Sequence, residues 1–335
     1  MTLLLDNDDV RAVLDMRACI DELRAAFRDY ALGGAVNRPR SHTYTDLGGG
    51  RHYLFKSMDG ALPRLGVHAL RLTSDLTHEV NGRRTKVAAA PGGRYVGLVL
   101  LLDIETLVPL AIVQDGYLQR MRVGATSALA ADLLARADAR TAAVLGAGWQ
   151  AGAQIEGLRA VRELDEVRVF APTRARLEAF CEEHGVVPAA SAREAIAGAD
   201  IVALATNSQE AVLDGTWLEP GQHVNSLQRH ELDDATVQRS DLVVVRSREE
   251  PTFHYAAGHA PRAATQRRFE GAVELGEVVT GRAGRRSEND LTLFAGGGGL
   301  GIQFAAVGHV VYEAALAAGR GRELPTEWFT QREKP

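Results

Sequence analysis

Apolar residues recur at helical spacing from Asp8 to Leu32, at Val10, Val13, Leu14, Ile20, Leu23, Phe27 and Tyr30. This pattern predicts two helices with Asp15 as a cap between them, closed by Gly33 and Gly34. Beyond Asn37 the period falls to two. Residues 52–55 and 66–73, and the runs 98–102 and 107–113 on either side of 103–106, predict antiparallel strands, the last two as a hairpin. A helical stretch rich in small residues covers 119–137. After it, short continuous apolar runs at 142–145, 167–170, 200–205, 223–227, 241–245 and 290–295 read as strands. Helical patterns intervene through Ile155, Leu158, Val161 and Leu164, over 177–183 and over 192–197. Strands buried on both faces and joined by helices mark a parallel sheet wrapped on both sides. The expected fold class is α/β, a Rossmann-type doubly wound parallel sheet beside an α+β region. Four consecutive glycines, Gly296 to Gly299, open a last helix over 300–318. They either allow a ligand to approach backbone closely or form a hinge.

The junction of the first parallel strand with its helix carries the chemistry. It reads Gly146-Ala147-Gly148-Trp149-Gln150-Ala151. The first glycine lets the chain leave the strand sharply, and the second removes a Cβ where a pyrophosphate must approach backbone N–H groups. The small Ala151 lets the helix pack closely, and the helix N-terminus supplies a positive end. A dinucleotide is the expected ligand. At the end of the second strand, where an acidic residue would accept from a free 2′-hydroxyl, the chain has Thr173 and Arg174, with Arg176 following. A hydroxyl and guanidiniums suit a 2′-phosphate, so NADP(H) is expected in preference to NAD(H). Thr206 and Asn225, at the ends of later strands, are further expected cofactor contacts.

Composition narrows the class. A chain of 335 residues, 46% hydrophobic, can build a large core and two domains. The net charge of −5 gives no reason to expect a nucleic acid or an anionic membrane surface. The opening MTLLLDNDDV lacks a basic secretory n-region, and no apolar run approaches the roughly 20 residues of a membrane span. A cytoplasmic location is expected. Cys19 and Cys181 read as buried free thiols, and no metal site is expected. Among the early strands stand Arg38, Arg40, His42, Arg51, His52 and Lys56, either a solvated sheet face or a pocket for an anionic substrate.

With these residues in view the chain resembles the ornithine cyclodeaminase/μ-crystallin family along nearly its whole length. The marks are the GxGxQA turn at 146–151 and Arg122-Val-Gly-Ala125-Thr-Ser127-Ala128-Leu-Ala, close to the family's RTAAxSALA helix. Weaker marks are Val224-Asn225-Ser226, Glu231-Leu-Asp233 and Ser247-Arg-Glu249. The resemblance implies a homodimer with a substrate and dimerisation domain over 1–120 plus 305–335 and an inserted NAD(P)-binding domain over 121–304. It also implies a small carboxylate substrate held near the nicotinamide by arginines, of which Arg122 and Arg40 are the matching positions.

Two departures shape the expected activity. Where the family has its active-site lysine, this chain has Arg71-Leu-Thr73-Ser74. Arginine can orient and neutralise but is a poor proton donor, so Lys56 and His68 are the candidates to take over, His68 being equally at home as a satisfied strand histidine. Where cyclodeaminases carry an aspartate, the chain reads Asn225-Ser-Leu-Gln228-Arg229-His230. His230 is then a candidate proton donor or a loop residue without a role. Losing the aspartate counts against ring closure. The expectation is an NAD(P)-dependent oxidoreductase moving a hydride to or from an imino, 2-amino or 2-oxo acid. A cyclodeaminase-type ammonia lyase and a non-catalytic ligand-binding protein of μ-crystallin type are the alternatives.

Overall fold

The computed structural model describes residues 1–80, 83–255 and 269–333. The chain opens with β1 (Thr2–Leu5), α1 (Asn7–Val13) and α2 (Met16–Ala31). Asp6 and Asp15 cap the two helices, Asp15 accepting from the Ala18 N–H as its position between two apolar periods predicts. Then come β2 (Val36–Asn37), β3 (Ser41–Gly48), β4 (Arg51–Leu62), β5 (Val67–Val80), β6 (Arg83–Val87), β7 (Val96–Asp103) and β8 (Pro109–Gln114). Leu107, with a positive φ of 66°, turns the chain between β7 and β8.

Helix α3 (Asp115–Leu134) leads into the second half: β9 (Thr141–Leu145), α4 (Trp149–Val161), β10 (Glu166–Phe170), α5 (Arg174–His184), β11 (Val187–Pro188), α6 (Ala192–Ile196), β12 (Ile201–Leu204), β13 (His223–Ser226), α7 (Asp234–Arg239) and β14 (Leu242–Val245). The chain ends with β15 (Thr252–Tyr255), β16 (Val273–Glu274), α8 (Leu275–Val279), β17 (Thr292–Ala295), α9 (Gly301–Ala317) and β18 (Arg322–Leu324). The arginine-rich stretch 251–286 thus contributes β15, β16 and α8, and its middle lies outside the described residues.

Two sheets result. The first runs β15-β3-β4-β5-β7-β8-β1-β18, with β2 on β4 and β6 on β5. The second runs β11-β10-β9-β12-β13-β17-β14-β16 and its pairs are all parallel. Strand β17 therefore enters between β13 and β14, which chain order does not disclose. Strand β15 leaves the nucleotide half and pairs with β3 of the first sheet.

Small residues allow these layers to approach backbone to backbone. A Cβ on Gly124 of α3 would strike the Ala153 carbonyl of α4, and one on Gly157 would strike the Gly124 carbonyl. Gly60 of β4 and Gly301 at the start of α9 face each other in the same way. One face of the first sheet is thereby covered by α9 and α3, on which α2 packs, and is buried at Val67, Ala69, Val99, Leu101, Ala111 and Val113. The other face carries Phe55, Leu70, Leu72, Leu98, Leu100 and Ile112, all half-buried. Cys19 and Cys181 are buried free thiols, and burial raises the Cys19 thiol to a pKa beyond the ordinary range. No helix among the described residues is long and apolar enough to cross a membrane.

Two histidines record the burial electrostatically. His223 on β13 is fully buried, its ring nitrogens 2.8 Å from Thr292 Oγ1 and 3.1 Å from Asn225 Oδ1, and burial lowers its pKa to about 3. His42 on β3 is lowered to about 3 by burial and by Arg40 and Lys56. Both stay neutral in the fold and protonate near 6.5 once unfolded. Their contribution is complete above that value and is lost as pH falls from 6.5 towards about 3. The slope is about 1.4 kcal/mol per group for each pH unit traversed. Urea denaturation of the protein and of His223→Gln at about pH 7 and about pH 5 checks this. The variant is expected to be less stable at the higher pH and to lose less on acidification.

Candidate active site

The carboxyl end of β9 passes into the turn 146–151. Gly146 has φ 117°, its N–H donates to Phe170 O at 2.8 Å, and a Cβ there would overlap the Ala205 carbonyl. Only glycine meets both demands. Gly148 is the extended N-cap of α4 and offers no side chain to the first-turn N–H groups. Ala151 is fully buried against the strands. The positive end of α4 is thus left open to an anion. Among the described residues, the only heavy atom within 4 Å of a Cβ at Gly148 would be Arg176 Nη2, at 3.5 Å.

This turn borders a cleft of about 910 Å³ between the two sheets. At its centre four arginines stand on the four glycines that follow β17. A Cβ on Gly296 would lie 3.2 Å from Arg246 Nη2, and one on Gly297 would lie 3.2 Å from Arg229 Nε. On Gly298 it would lie 3.0 Å from Arg40 Cζ, and on Gly299 2.9 Å from Arg122 Nη1. The glycines are therefore a platform for guanidiniums, and all four also line the cleft. Arg122 and Arg246 are buried, and no carboxylate within 4.0 Å pairs with Arg40, Arg122 or Arg246 among the described residues. Arg122 reaches Gln303 Oε1 at 3.4 Å and lies 4.9 Å from the centre of the Phe304 ring. Arg246 donates to the carbonyls of Gly297 and Gly298. The Nε atoms of all four have no partner among the described residues. Burial, then repulsion from Arg40 and Arg229, lowers the Arg246 pKa to about 9. Burial and neighbouring arginines likewise lower Arg122 and Arg40.

Strand register decides which other expected residues join them. Directly opposed residues share a face, so Lys56 with Thr73, and Met58 with Arg71, face the cleft. Lys56 Nζ lies 3.2 Å from Asp75 Oδ2, and Lys86 Nζ lies 2.6 Å from Asp75 Oδ1. Burial lowers the Lys56 pKa from its ordinary 10.5, Asp75 opposes that, and Lys86 and Arg40 add to it. Arg71 is held by Asp115, the first residue of α3, whose Oδ2 accepts from Nε at 3.0 Å and Nη2 at 2.5 Å. His230 stands exposed on the cleft wall in the turn after β13. His68 is different. It opposes Ala61 and Leu102 on the outer face of β5, 3.5 Å from Asp59, so a part in the cleft does not follow from its position.

The expected cofactor contacts also divide. Gln150 lines the cleft, donating to Gln119 Oε1 at 3.0 Å, and Trp149 is 55% exposed beside the turn with Arg120 over its ring. Thr173 and Arg174 are exposed at the start of α5, Arg174 paired with Glu178 at 2.6 Å, and Arg176 Nε donates to Ala147 O at 3.0 Å. Thr206 gives both its N–H and its hydroxyl to Glu231 Oε1 at 2.7 Å. Asn225 is buried against α3, its amide donating to Ser127 O and its oxygen meeting His223, so its side chain ties β13 to α3. Sequence reasoning named neither Asp75, Lys86 nor Asp115, and gave Arg229 and Arg246 no role. Arg246 directly follows an apolar run, where a charge usually marks a solvated strand end.

A glycine turn at the start of α4, opening onto a cleft of guanidinium and ammonium groups, has the form of a nicotinamide-dependent oxidoreductase site. Residues 1–319 match the ornithine cyclodeaminase/mu-crystallin family, and the chain belongs to it. It is 32% identical over 243 residues to a Δ1-pyrroline-2-carboxylate reductase of Bacillus cereus, covering 68% of this chain and 74% of that one. The structure of Thermococcus litoralis Δ1-pyrroline-2-carboxylate reductase in complex with NADH and L-proline is similar with a TM-score of 0.78 and 28% identity, over 96% of this chain and 100% of that one. An archaeal alanine dehydrogenase dimer with bound NAD is similar with a TM-score of 0.80 and 27% identity, over 97% and 99%.

The turn can be tested without disturbing the fold. Gly148 has an extended backbone that alanine adopts freely, and its Cβ would meet only Arg176 Nη2, at an ordinary contact distance of 3.5 Å, among the described residues. Gly148→Ala is expected to weaken binding of the nicotinamide coenzyme at least ~10-fold, the loss of one or two charge-assisted backbone contacts, with an unchanged melting temperature. Quenching of Trp149 fluorescence and thermal denaturation report the two quantities.

Proposed function

We propose that this enzyme reduces a small 2-imino or 2-oxo acid with NADPH, or runs the reverse oxidation of the amino acid. The observation that carries the reading is the set of guanidiniums without carboxylate partners beside a dinucleotide turn. Arg40 and Arg122 bind the substrate carboxylate through paired donors, fixing the carbon beside it. The open N-terminus of α4 and the bare Gly148 fit the coenzyme pyrophosphate. When bound, the nicotinamide supplies or accepts the hydride. Thr173, Arg174 and Arg176, with no carboxylate from 170 to 176, favour a 2′-phosphate.

Arg71, locked to Asp115, neutralises charge and holds geometry. Lys56 is the proton donor to the nitrogen or oxygen on the reacting carbon, and Asp75 keeps it oriented. A cyclodeaminase role has less support, because the 225–230 segment sends no carboxylate into the cleft and Glu231 is buried against Thr206, Ser226 and Gln228.

Oxidation of NADPH and NADH at 340 nm with Δ1-pyrroline-2-carboxylate, and with 2-oxo acids plus ammonium, tests the assignment. NADPH is expected to give the higher kcat/KM, and no consumption of either coenzyme across the panel would refute it. Lys56→Met is expected to lower kcat by ~100-fold or more with coenzyme affinity unchanged. In the unsubstituted enzyme activity should fall as pH rises through a value below 10.5, and that limb should vanish in the variant.

The half-buried leucines of the first sheet support a homodimer built on that face. Leu70 opposes Leu100 and Leu72 opposes Leu98 across the strands. Leu72→Arg with Leu100→Arg is expected to yield a monomer in sedimentation velocity, and an unchanged sedimentation coefficient would place the contact elsewhere.

A further inference from the structure

The cations of the cleft outnumber what one carboxylate can satisfy. Arg71 has Asp115, Arg229 has Glu250 at 3.4 Å, and Lys56 and Lys86 share Asp75. Among the described residues Arg40, Arg122 and Arg246 have no acid, and one ammonium is left over. The remaining carboxylates of the wall, Glu210 and Glu249, are exposed at the rim. The coenzyme phosphates do not supply the missing charge. Their turn follows β9, whereas the arginines stand after β17, three strand spacings or about 14 Å across the sheet.

The arginines are also ordered along the platform. Arg122 and Arg40 stand over Gly299 and Gly298, and Arg229 and Arg246 over Gly297 and Gly296. Arg246 also reaches the carbonyls of Gly297 and Gly298, so the four guanidiniums form one continuous cluster along the loop, carrying more positive charge than one carboxylate neutralises. Arg246 uses Nη1 on backbone carbonyls and Arg229 directs Nη1 to Glu250 while lying over Phe269; the Nε atoms of both are buried, and the Nη2 atoms have no hydrogen bond among the described residues.

We propose that the substrate carries two anionic groups, a carboxylate on Arg40 and Arg122 and a second carboxylate or a phosphate on Arg229 and Arg246. This rests on the reductase reading and narrows it to dicarboxylic or phosphorylated imino and oxo acids, with the amino acid as the reduced form. Arg229 and Arg246 are then the specificity residues.

Calorimetric titration of the full chain saturated with NADP tests the proposal with matched amino acids: L-glutamate against L-glutamine, L-aspartate against L-asparagine, and O-phospho-L-serine against L-serine. In at least one pair the acidic member is expected to bind at least ~50-fold more tightly, as charge-assisted contacts to a second anion require. Preference in the first two pairs makes the second group a carboxylate, and preference in the third alone makes it a phosphate. Arg229→Gln, at the half-exposed turn, and Arg246→Gln, in the interior, are each expected to cut that ratio at least ~10-fold. Since the ratio in the unsubstituted protein is itself decisive, a misfolded Arg246 variant does not rescue the idea. Ratios near one in all three pairs, or a ratio that neither substitution changes, overturn it. The two readings fail separately. Coenzyme oxidation by Δ1-pyrroline-2-carboxylate with ratios near one removes the second anion and keeps the reductase. A strong acidic preference without oxidation of NADPH by any acidic imino or oxo acid removes the reductase and keeps the two-anion site.

Discussion

The contact on which the rest of this molecule depends is that of guanidinium on bare peptide after β17. A side chain at any of positions 296 to 299 would have to occupy space that an arginine already fills. Planar guanidiniums can lie against peptide groups at van der Waals distance, which lets four cations crowd one short loop. The arrangement is electrostatically unfavourable by itself. An uncompensated buried charge costs about 3–5 kcal/mol when its partner is missing, so the fold holds this cleft in a state that an anion relieves. The packing elsewhere supplies the compensation, notably the backbone contact of Gly60 with Gly301 and the crossing of α3 with α4.

That loop is placed by topology. Because β17 is inserted between β13 and β14, its carboxyl end opens at the middle of the parallel sheet, beside the turn that carries Arg229 and His230. Helix α3 then joins the halves. It presents Arg122 to the platform and Asp115 to Arg71, and its small residues lie against α4, whose N-terminus opens beside the cleft. One helix therefore sets the spacing between the glycine turn and the arginine cluster. The first sheet adds Lys56 and Arg71 from adjacent strands, at a height fixed by the register of β4 on β5.

Much of this was legible in the residues themselves. The turn 146–151 has a spacing with a single economical physical reading, and the parallel sheet and capped N-terminal helices follow from periodicity and from Asp15. The faces of the antiparallel strands were harder. Lys56 and His68 are equally polar members of alternating segments, and only cross-strand pairing puts one in the cleft and the other outside it. Asn225 resembles a loop-end polar residue, but its strand continues one position further and turns the amide into the core. Arg246 was the least legible, since a charge after Leu-Val-Val-Val reads as an exit to solvent. Four consecutive glycines were a signal that something bulky must lie close, but not of what it was.

Glu231 is buried beneath the turn after β13, where it accepts from the Thr206 N–H and hydroxyl, the Ser226 hydroxyl and the Gln228 N–H. One carboxylate thereby knots together the tips of β12 and β13, so neighbouring walls of the cleft keep a common frame. Position 230 sits on that frame without forming part of it. Its exposed side chain can change while the frame keeps its shape, which leaves one wall of the cleft open to variation in the course of evolution.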